Sequence, residues 1–576
     1  SSYPGEGTNY IPAIIDFPNQ DGGRRLLIKP AAGVQDTISI PNQLNFTNCG
    51  VLRFVGARYV TVDGVNQNLI ISLPPSATNS SSRVIAITPS DQSPSTDITI
   101  MNCVINGNST NGASGVVNTF AGIFAGGLFA NTSELSGLNN NQTFSNNLIQ
   151  AVQTGIYVRG IGVRGLQDQN IAILQNTIGG TIPSGSSLPT TFIGGVSGKA
   201  GIHLKGVLAS VVDGNIVRNS LPAYNDFRGI DISNDGEAGT DSLMTIKNNK
   251  IYNLQTTGQG NFGIKINLGG DSLRQITIYN NYIGKVTGTG SSLYSVVNPS
   301  AISIQATSLI GHLGISLYYN TVQMNGNSIT SSSNGSNCIW IGNMIAGGIV
   351  IQNNLLANNL SGTTSSIHSN VFAIQCESPT NKPFYASSGG KIDNNVYSLG
   401  GINGTTKYVG GNGSLSNSYL SLGTWVSPST WRNFSLQDTN SYMFNVSFIS
   451  DTLPNVITKT AGPVVNGAAP LSFVLGDINA TVRAGNLGYT LIPAGTAPCI
   501  GAVEFAQPYS KLVGGATYYI NGDQNPPIYT APGNGSFSTV NNAFQYINGF
   551  GVDGKTAPAN PINLLITTGY IGEGDT

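Results

Sequence analysis

Charged side chains are scarce in this sequence of 576 residues: Asp, Glu, Lys and Arg make up 9% of it, against roughly 25% in an ordinary soluble protein. The net charge is −1 and there is no basic stripe, so the sequence predicts no nucleic-acid partner and no electrostatic attachment to a membrane surface. It also lacks any run of about 18 apolar residues, which predicts no insertion into a bilayer. Solubility must therefore come from neutral groups, in a chain with 74 glycines and many Asn, Ser and Thr residues.

Cysteine is scarce as well, with five residues and no Cys-x-x-Cys pair, which argues against a zinc knuckle. Cys103 and Cys338 lie inside apolar alternation, where a small buried hydrophobe is the favoured interpretation over a disulfide. The sequence begins at Ser1 with neither Met nor a signal peptide. We therefore expect either a mature chain or a window cut from a longer one.

One phrase returns through the middle of the chain: apolar alternation, then Asn, one residue, and an aliphatic residue. The clearest copies end in Asn176, Asn249, Asn281, Asn320 and Asn354, and weaker ones contain Asn102, Asn147, Asn215 and Asn395. Period-two alternation indicates strands, and a phrase repeated at a loose period of 29 to 41 residues indicates stacked units. No stretch of the repeat shows a helical stripe. We predict an all-β, right-handed parallel β-helix with inserted loops.

In that fold the bend residues of successive turns lie above one another. We expect Asn249, Asn281, Asn320 and Asn354 to form a hydrogen-bonded side-chain ladder. The predicted domains are rungs over 1–401, a terminal, aromatic-rich closing region over 402–506, and a linker with an opening cap over 507–576. The cap would be a strand plus a short helix, because Val540, Ala543, Phe544 and Ile547 have helical spacing.

The segments Asp477 to Arg483 and Ile500 to Phe505 resemble the closing signature of secreted β-helix repeat proteins of Bacteroidota. That resemblance implies the fold, and a relation to giant tandem-repeat adhesins and gliding-filament proteins of the cell surface. It implies an extracellular structural protein that extends and attaches, with no cofactor.

The two ends of the chain carry matching phrases. Four of five residues agree between Tyr3-Pro-Gly5-Glu6-Gly7 and Tyr570-Ile-Gly572-Glu573-Gly574, at an offset of 567 residues. Because the sequence predicts an opening cap after a closing signature, we expect neighbouring copies to join head to tail as a fibre. Such a contact does not close on itself. The sequence leaves open whether the joint is covalent, and whether the fibre also binds a surface polysaccharide.

Parallel β-helices often act on polysaccharides, so an enzyme is the alternative. Hydrolysis needs facing carboxylates, and elimination needs a base with a cation to neutralise the uronate. His203, His312 and His368 are isolated in the sequence, and Asp213 and Asp231 are explained equally well by turn chemistry. The sequence therefore predicts a protein that is not an enzyme, with a polysaccharide lyase or hydrolase as the alternative. A carbohydrate-binding module is a further alternative, on Tyr279, Tyr282, Tyr318 and Tyr319.

Two weaker patterns complete the candidates. Asp235, Glu237 and Asp241 are spaced like a loose calcium loop, although a solvated turn is favoured. Four Asp-Ser/Thr-aliphatic triplets resemble the O-glycosylation signal of the same bacterial group, at Thr37, Ser242, Ser272 and Thr452.

Overall fold

The computed structural model describes the chain in segments. They are residues 13–15, 25–40, 50–73, 82–90, 93–108, 119–127, 138–161, 166–181, 192–221, 226–233, 243–256, 260–269, 275–288, 298–307, 309, 314–329, 335–362, 370–377, 384, 386–400, 406–412, 424–425, 431–432, 435–450, 464, 467–484, 497–504, 512–513, 517–520, 536–537, 552–553 and 563–566. Within these segments no helix is long and apolar enough to cross a membrane.

The chain visits three long sheets in turn and returns to the first, which confirms the predicted right-handed parallel β-helix. Sheet 1 has 13 strands, all parallel apart from the last pair. They are Ala13–Ile15, Leu52–Val55, Arg83–Thr88, Ala121–Ala125, Thr154–Arg159, Ala200–Lys205, Phe227–Ser233, Asn261–Leu268, Ser300–Ala306, Gly335–Ile341, Asn370–Cys376, Thr406–Asn412 and Thr424–Trp425.

Sheet 2 has 11 strands: Leu26–Ile28, Arg58–Asp63, Thr96–Met101, Thr143–Ser145, Ala172–Leu174, Val211–Asp213, Met244–Lys247, Ile276–Tyr279, Ile315–Tyr318, Ile349–Gln352 and Lys391–Asp393. Sheet 3 has 12: Asp36–Ser39, Leu69–Ser72, Cys103–Asn106, Leu148–Gln150, Thr177–Ile178, Ile216–Arg218, Lys250–Gln255, Tyr282–Thr287, Thr321–Ile329, Leu355–Gly362, Val396–Ser398 and Tyr442–Met443.

The remaining elements are short. Asp168–Gln169 pairs with Val207–Leu208, Ile193–Gly194 with Ser220–Leu221, and Leu512–Val513 with Val552–Asp553. Thr517–Ile520 pairs with both Ser536–Phe537 and Asn563–Ile566, and Ala386–Ser388 forms a 3-10 turn. The expected cap helix around Val540 lies outside the described residues.

Sheets 1 and 2 differ in how much of their outer faces is buried. Strands of sheet 2 alternate between buried and partly exposed residues, as in Ile276–Tyr279, so one face packs on the core and the other meets solvent. Strands of sheet 1 are buried on both faces, as in Arg83–Thr88 and Gly335–Ile341. Ile276, Ile278 and Ile283 are fully buried in one continuous apolar core. Side chains on the outer face of sheet 1 are therefore held in a less solvated environment than those of sheet 2.

The bend between sheets 2 and 3 contains a column of eight buried Asn side chains, which we call the inner column. Each Nδ2 donates to the next Oδ1 at 2.9 to 3.2 Å, and each backbone N–H donates to the same acceptor at 2.9 to 3.1 Å. Its members are Asn147, Asn176, Asn215, Asn249, Asn281, Asn320, Asn354 and Asn395.

The left-handed backbone at this bend belongs to the residue before each member of the column. Asn248, Asn280 and Asn353 have φ of 54°, 54° and 62°. The residues that precede the inner column form an outer column. Asn102 belongs to this outer column, because the residue after it, Cys103, occupies the inner-column position of its rung. The backbone N–H of Cys103 donates to Asn147 Oδ1 at 3.0 Å. The outer-column residue therefore makes the left-handed turn, and the inner-column Asn after it makes the buried hydrogen bonds.

The closing signature folds as one buried network. Asp477 Oδ1 accepts the N–H groups of Asn479 and Thr481, both at 2.8 Å, and its Oδ2 accepts that of Glu504 at 2.8 Å. Arg483, fully buried, lies 3.3 Å from Glu504 and donates to Asn280 Oδ1 at 2.7 Å. Hydrogen bonds and an ion pair thus connect the two segments of the signature, and Arg483 connects them to Asn280 of the outer column.

Candidate catalytic cluster on sheet 1

A second phrase, Gly-Ile-x-aliphatic, recurs on sheet 1. It reads Gly155-Ile-Tyr-Val, Gly201-Ile-His-Leu, Gly229-Ile-Asp-Ile and Gly263-Ile-Lys-Ile on four consecutive strands. The strand register places the variable residues side by side, in the order Tyr157, His203, Asp231 and Lys265. Neighbouring strands lie about 4.8 Å apart, so four chemically different side chains form one row on the outer face.

The isoleucines fix the direction of that row, because all four are fully buried in the apolar core. The glycines before them are needed for space: a Cβ on Gly201 would lie 2.4 Å from Val217 Cγ1, and one on Gly229 would lie 2.5 Å from Ile251 Cγ2. The residue after each isoleucine must face outward, because side chains alternate along a strand.

His203 is held on three sides. Its ring stacks on that of Tyr157, with centroids 4.4 Å apart and planes 8° apart. Its Nε2 lies 2.6 Å from Ser233 Oγ and 3.4 Å from Asp231 Oδ2. Burial lowers the pKa of His203 to about 4, against the opposing effect of the Asp231 carboxylate. The imidazole is therefore neutral near pH 7, and the carboxylate favours the tautomer with the proton on Nε2, leaving Nδ1 as the basic nitrogen.

Tyr157 and Asp231 have opposite pKa shifts. Burial raises the pKa of the Tyr157 hydroxyl, although Arg159 acts against it, so the phenol stays protonated. Burial would raise the pKa of Asp231 too, but its electrostatic interactions with His203, Arg228 and Lys265 outweigh burial and hold that pKa below its usual value. Asp231 is fully buried and ion-paired with Arg228. Its Oδ1 has no hydrogen-bond partner in the described part of the chain, so this buried acceptor is unsatisfied.

The surroundings of the row are cationic. Of the 25 basic side chains in the sequence, six act electrostatically on the pKa of Tyr157, His203 or Asp231. These six are Arg83, Arg159, Lys199, Lys205, Arg228 and Lys265. Two carboxylates, Asp226 and Asp231, oppose them; both pair with Arg228. Aromatic rings add cation–π contacts: Arg83 lies 3.9 Å from the Phe124 centroid, and Lys199 Nζ lies 4.5 Å from that of Phe120. The fold therefore gathers basic side chains that the sequence does not display as a stripe.

The other candidates are dispersed or lie elsewhere. The expected calcium loop at Asp235, Glu237 and Asp241 lies outside the described residues, and so do His312 and His368. The same holds for both matching ends of the chain and for Ser242, Ser272 and Thr452, whereas Thr37 lies half-buried in Asp36–Ser39. Among the residues that the structure describes, no three His, Cys, Asp or Glu side chains form a metal-binding group. These predictions stay predictions.

The four tyrosines do not lie together on one exposed face. Tyr282 and Tyr319 are fully buried, while Tyr279 and Tyr318 are partly buried against a second apolar cluster. Tyr319 cannot serve as an exposed platform, because its hydroxyl donates to the Ala469 carbonyl at 2.8 Å and its ring lies under Arg483. Asp213 faces Lys247 on sheet 2, and Asp231 lies on sheet 1, so the two carboxylates do not share a groove.

No family and no curated protein matches this chain. Solved structures resemble it, among them two epimerase modules and one glucanase. The A-module of mannuronan C-5 epimerase AlgE4 from Azotobacter vinelandii is 12% identical, covers 69% of this chain and 92% of its own, and has a TM-score of 0.33. The AlgE6 A-module has the same identity and coverage with a TM-score of 0.35. The catalytic unit of a GH87 α-1,3-glucanase from Streptomyces thermodiastaticus covers 71% and 72% at 12% identity, with a TM-score of 0.25.

At these values the likeness concerns the fold, and it assigns no substrate to this chain. The prediction that the protein is not an enzyme is nevertheless wrong, because the solved structures that resemble it are epimerase modules and the catalytic unit of a glucanase. That prediction rested on histidines that stand alone in the sequence. The fold removes this reason, since it places His203 against Tyr157 and Asp231.

Proposed function

We propose that this protein is a polysaccharide-acting enzyme that abstracts a proton next to a uronate carboxylate, in the manner of a lyase. The observation that carries the proposal is the row of Tyr157, His203 and Asp231, flanked by Arg228 and Lys265. It combines a neutral base, a protonated phenol and fixed cations on one sheet face. An extracellular location belongs to the same proposal, because the substrate is a polymer outside the cell.

Each side chain has a role that its environment supports. His203 takes the proton from the carbon beside the carboxylate, since its lowered pKa keeps it unprotonated. The charges of Arg228 and Lys265 stabilise the negative charge that develops on that carboxylate. Tyr157 donates its proton to the departing glycosidic oxygen, since its raised pKa keeps it protonated. Asp231 orients the imidazole.

Hydrolysis fits the same residues less well. A glycosidase needs one carboxylic acid that is protonated and a second carboxylate that is ionised. Here Asp226 and Asp231 both pair with Arg228, and Asp226 also lies 3.7 Å from Lys265. Because Arg228 and Lys265 hold Asp231 ionised, this carboxyl cannot act as the acid. The elimination chemistry is therefore the better supported of the two.

The test measures proton abstraction directly. The purified chain is incubated with alginate or with polygalacturonate in D2O, and proton NMR follows deuterium incorporation beside the carboxylate. Ultraviolet absorbance follows unsaturated uronate ends. We expect both signals from the native chain, and at least about a hundredfold loss in His203→Gln, because general base catalysis contributes about 10²–10⁴-fold. Ser303→Ala, one strand beyond Lys265 in the same row, is the matched control and should keep full activity.

Two results would contradict the proposal. One is an absence of exchange and of unsaturated product with both polymers, from a chain shown by circular dichroism to be folded. The other is an equal loss of activity in His203→Gln and Ser303→Ala, which would mean that His203 has no greater role in the reaction than Ser303.

The head-to-tail fibre is a separate proposal, supported by the match between Tyr3 to Gly7 and Tyr570 to Gly574. The mass of the intact native protein tests it. A mass far above 59.9 kDa supports a tandem array, whereas a native mass of that size, with no association at high concentration, refutes it.

A further inference from the structure

The outer column on sheet 2 binds polypeptide backbone along part of its length. Asn394 Nδ2 donates to the Gly467 carbonyl at 3.2 Å, and Asn280 Nδ2 donates to that of Gly476 at 2.7 Å. Between them, Asn353 makes a paired contact with Ala469, donating to its carbonyl at 2.7 Å and accepting its N–H at 2.9 Å. The segment 467–476 thus lies across several rungs, held by amides at equivalent positions.

Beyond Asn280 the same column continues without that segment over it. Asn248, Gly214 and Gln175 follow in order, and they form part of the floor of a groove of about 640 Å³. The wall is the turn from Phe473 to Val482, which is braced by an antiparallel bridge between Gly476 and Val482. The groove is therefore built from rigid parts, a stacked sheet on one side and the buried closing signature on the other.

The polar groups of the groove balance each other in charge. Lys247 Nζ lies 3.4 Å from Asp213, whose Oδ1 accepts the Asn248 amide at 2.8 Å. Tyr279 and Asp213 raise the pKa of Lys247 although burial acts against them, so the ammonium stays charged. The third charge in the lining, Asp477, already accepts three backbone N–H groups. A ligand would meet neutral amides and one compensated ion pair.

We propose that this groove binds a neutral, hydroxyl-rich oligosaccharide, at a site separate from the sheet 1 cluster. Amide side chains and the ion pair offer donors and acceptors together, which matches sugar hydroxyls. The rings of Tyr279 and of Phe473, the latter 52% exposed, offer apolar faces to the C–H groups of a sugar. An extended peptide is less well matched, because the floor strands pair on both sides and leave no strand edge.

The experiment uses the full chain and titration calorimetry with hexasaccharides of β-1,4-glucan, α-1,3-glucan and β-1,4-mannan. A hexamer of guluronate and a synthetic peptide of residues 467–476 serve as the acidic and polypeptide probes. We expect at least one neutral hexasaccharide to bind in preference to both probes. Tyr279→Ala should weaken it about tenfold by removing the ring.

A second pair of variants distinguishes a loss of groove contacts from a loss of folding. Asn248→Gly removes an amide from the groove, and Asn146→Gly removes one from the equivalent place outside it, where φ is 52° rather than 54°. Glycine adopts these angles without strain. We expect weaker binding in the first variant and unchanged binding in the second. The proposal is overturned if no neutral hexasaccharide binds, if only the peptide or the guluronate binds, or if both variants weaken binding equally.

Discussion

Replacing Asn281 by Ala should destabilise the fold far more than the loss of one polar side chain on a surface. Its Oδ1 accepts the backbone N–H and the Nδ2 of Asn249 at 3.0 and 2.9 Å, and its Nδ2 donates to Ile246 O and to Asn320 Oδ1 at 2.9 and 3.0 Å. The substitution orphans two fully buried donors on Asn249. At about 1–3 kcal/mol for each unsatisfied group, we expect a loss of about 4 kcal/mol.

The effect should be local as well as large, because each rung contacts only its neighbours. Hydrogen exchange followed by mass spectrometry should show faster exchange in Met244–Lys247, Ile276–Tyr279 and Ile315–Tyr318, with thermal unfolding giving the overall shift. Asn146→Gly, on the exposed outer column, is the control and should change stability by less than about 0.5 kcal/mol. A loss below about 1 kcal/mol in Asn281→Ala would refute the assignment of the inner column as a main source of rung stability.

Three further predictions follow from burial. Ile278→Asp should cost several kcal/mol by placing an unpaired charge in the core, whereas Thr277→Asp, on the outer face, should cost less than about 1 kcal/mol; equal melting temperatures would disprove the register. The four described cysteines, Cys103, Cys338, Cys376 and Cys499, are buried, and burial raises the pKa of the Cys338 thiol, so a thiol reagent should label them only after denaturation; rapid labelling of any of these four in the native chain, located by peptide mapping, would argue against the core. Arg483→Met should loosen the closing signature and Arg483→Met with Glu504→Gln should recover part of the loss, as measured by proteolysis; a double variant no better than the single one would contradict the pairing.

Sequence patterns predicted the architecture because its rule is local. An Asn after apolar alternation occupies the same place in eight successive rungs, so a phrase of about eight residues carries the information for the turn, the stack and the inward strand face. The prediction was less accurate about the turn itself. The left-handed residue is the one before the stacked Asn, as Asn280 precedes Asn281. The stacked residue must point its amide inward, which leaves its neighbour to make the bend.

The catalytic row was missed for the opposite reason. Tyr157, His203, Asp231 and Lys265 are separated by 46, 28 and 34 residues, because the inserted loops differ in length. The four residues are also of four different types, so the sequence shows no residue type that repeats at this position. The repeat that could have revealed them is the Gly-Ile before each one, because the isoleucine is buried in the core and the residue after it then faces outward. Loop lengths and long-range charge clustering depend on the assembled sheet, and neither can be obtained from a single strand.

The inner column also has an electrical direction. From Asn147 to Asn354, each side-chain amide directs one N–H toward the next rung and accepts on its Oδ1 from the previous one, so the amide dipoles have components that add along the stack as peptide dipoles do in an α-helix. The positive end is at Asn395, whose backbone N–H donates to Ser441 Oγ at 2.7 Å, and that hydroxyl contacts the buried Asp438 carboxyl. Burial raises the pKa of Asp438 to about 6, so it is largely ionised at pH 7 and meets the column with a negative charge. The N–H that would bind a further rung is thus already used, and the amide column ends in an acidic cap.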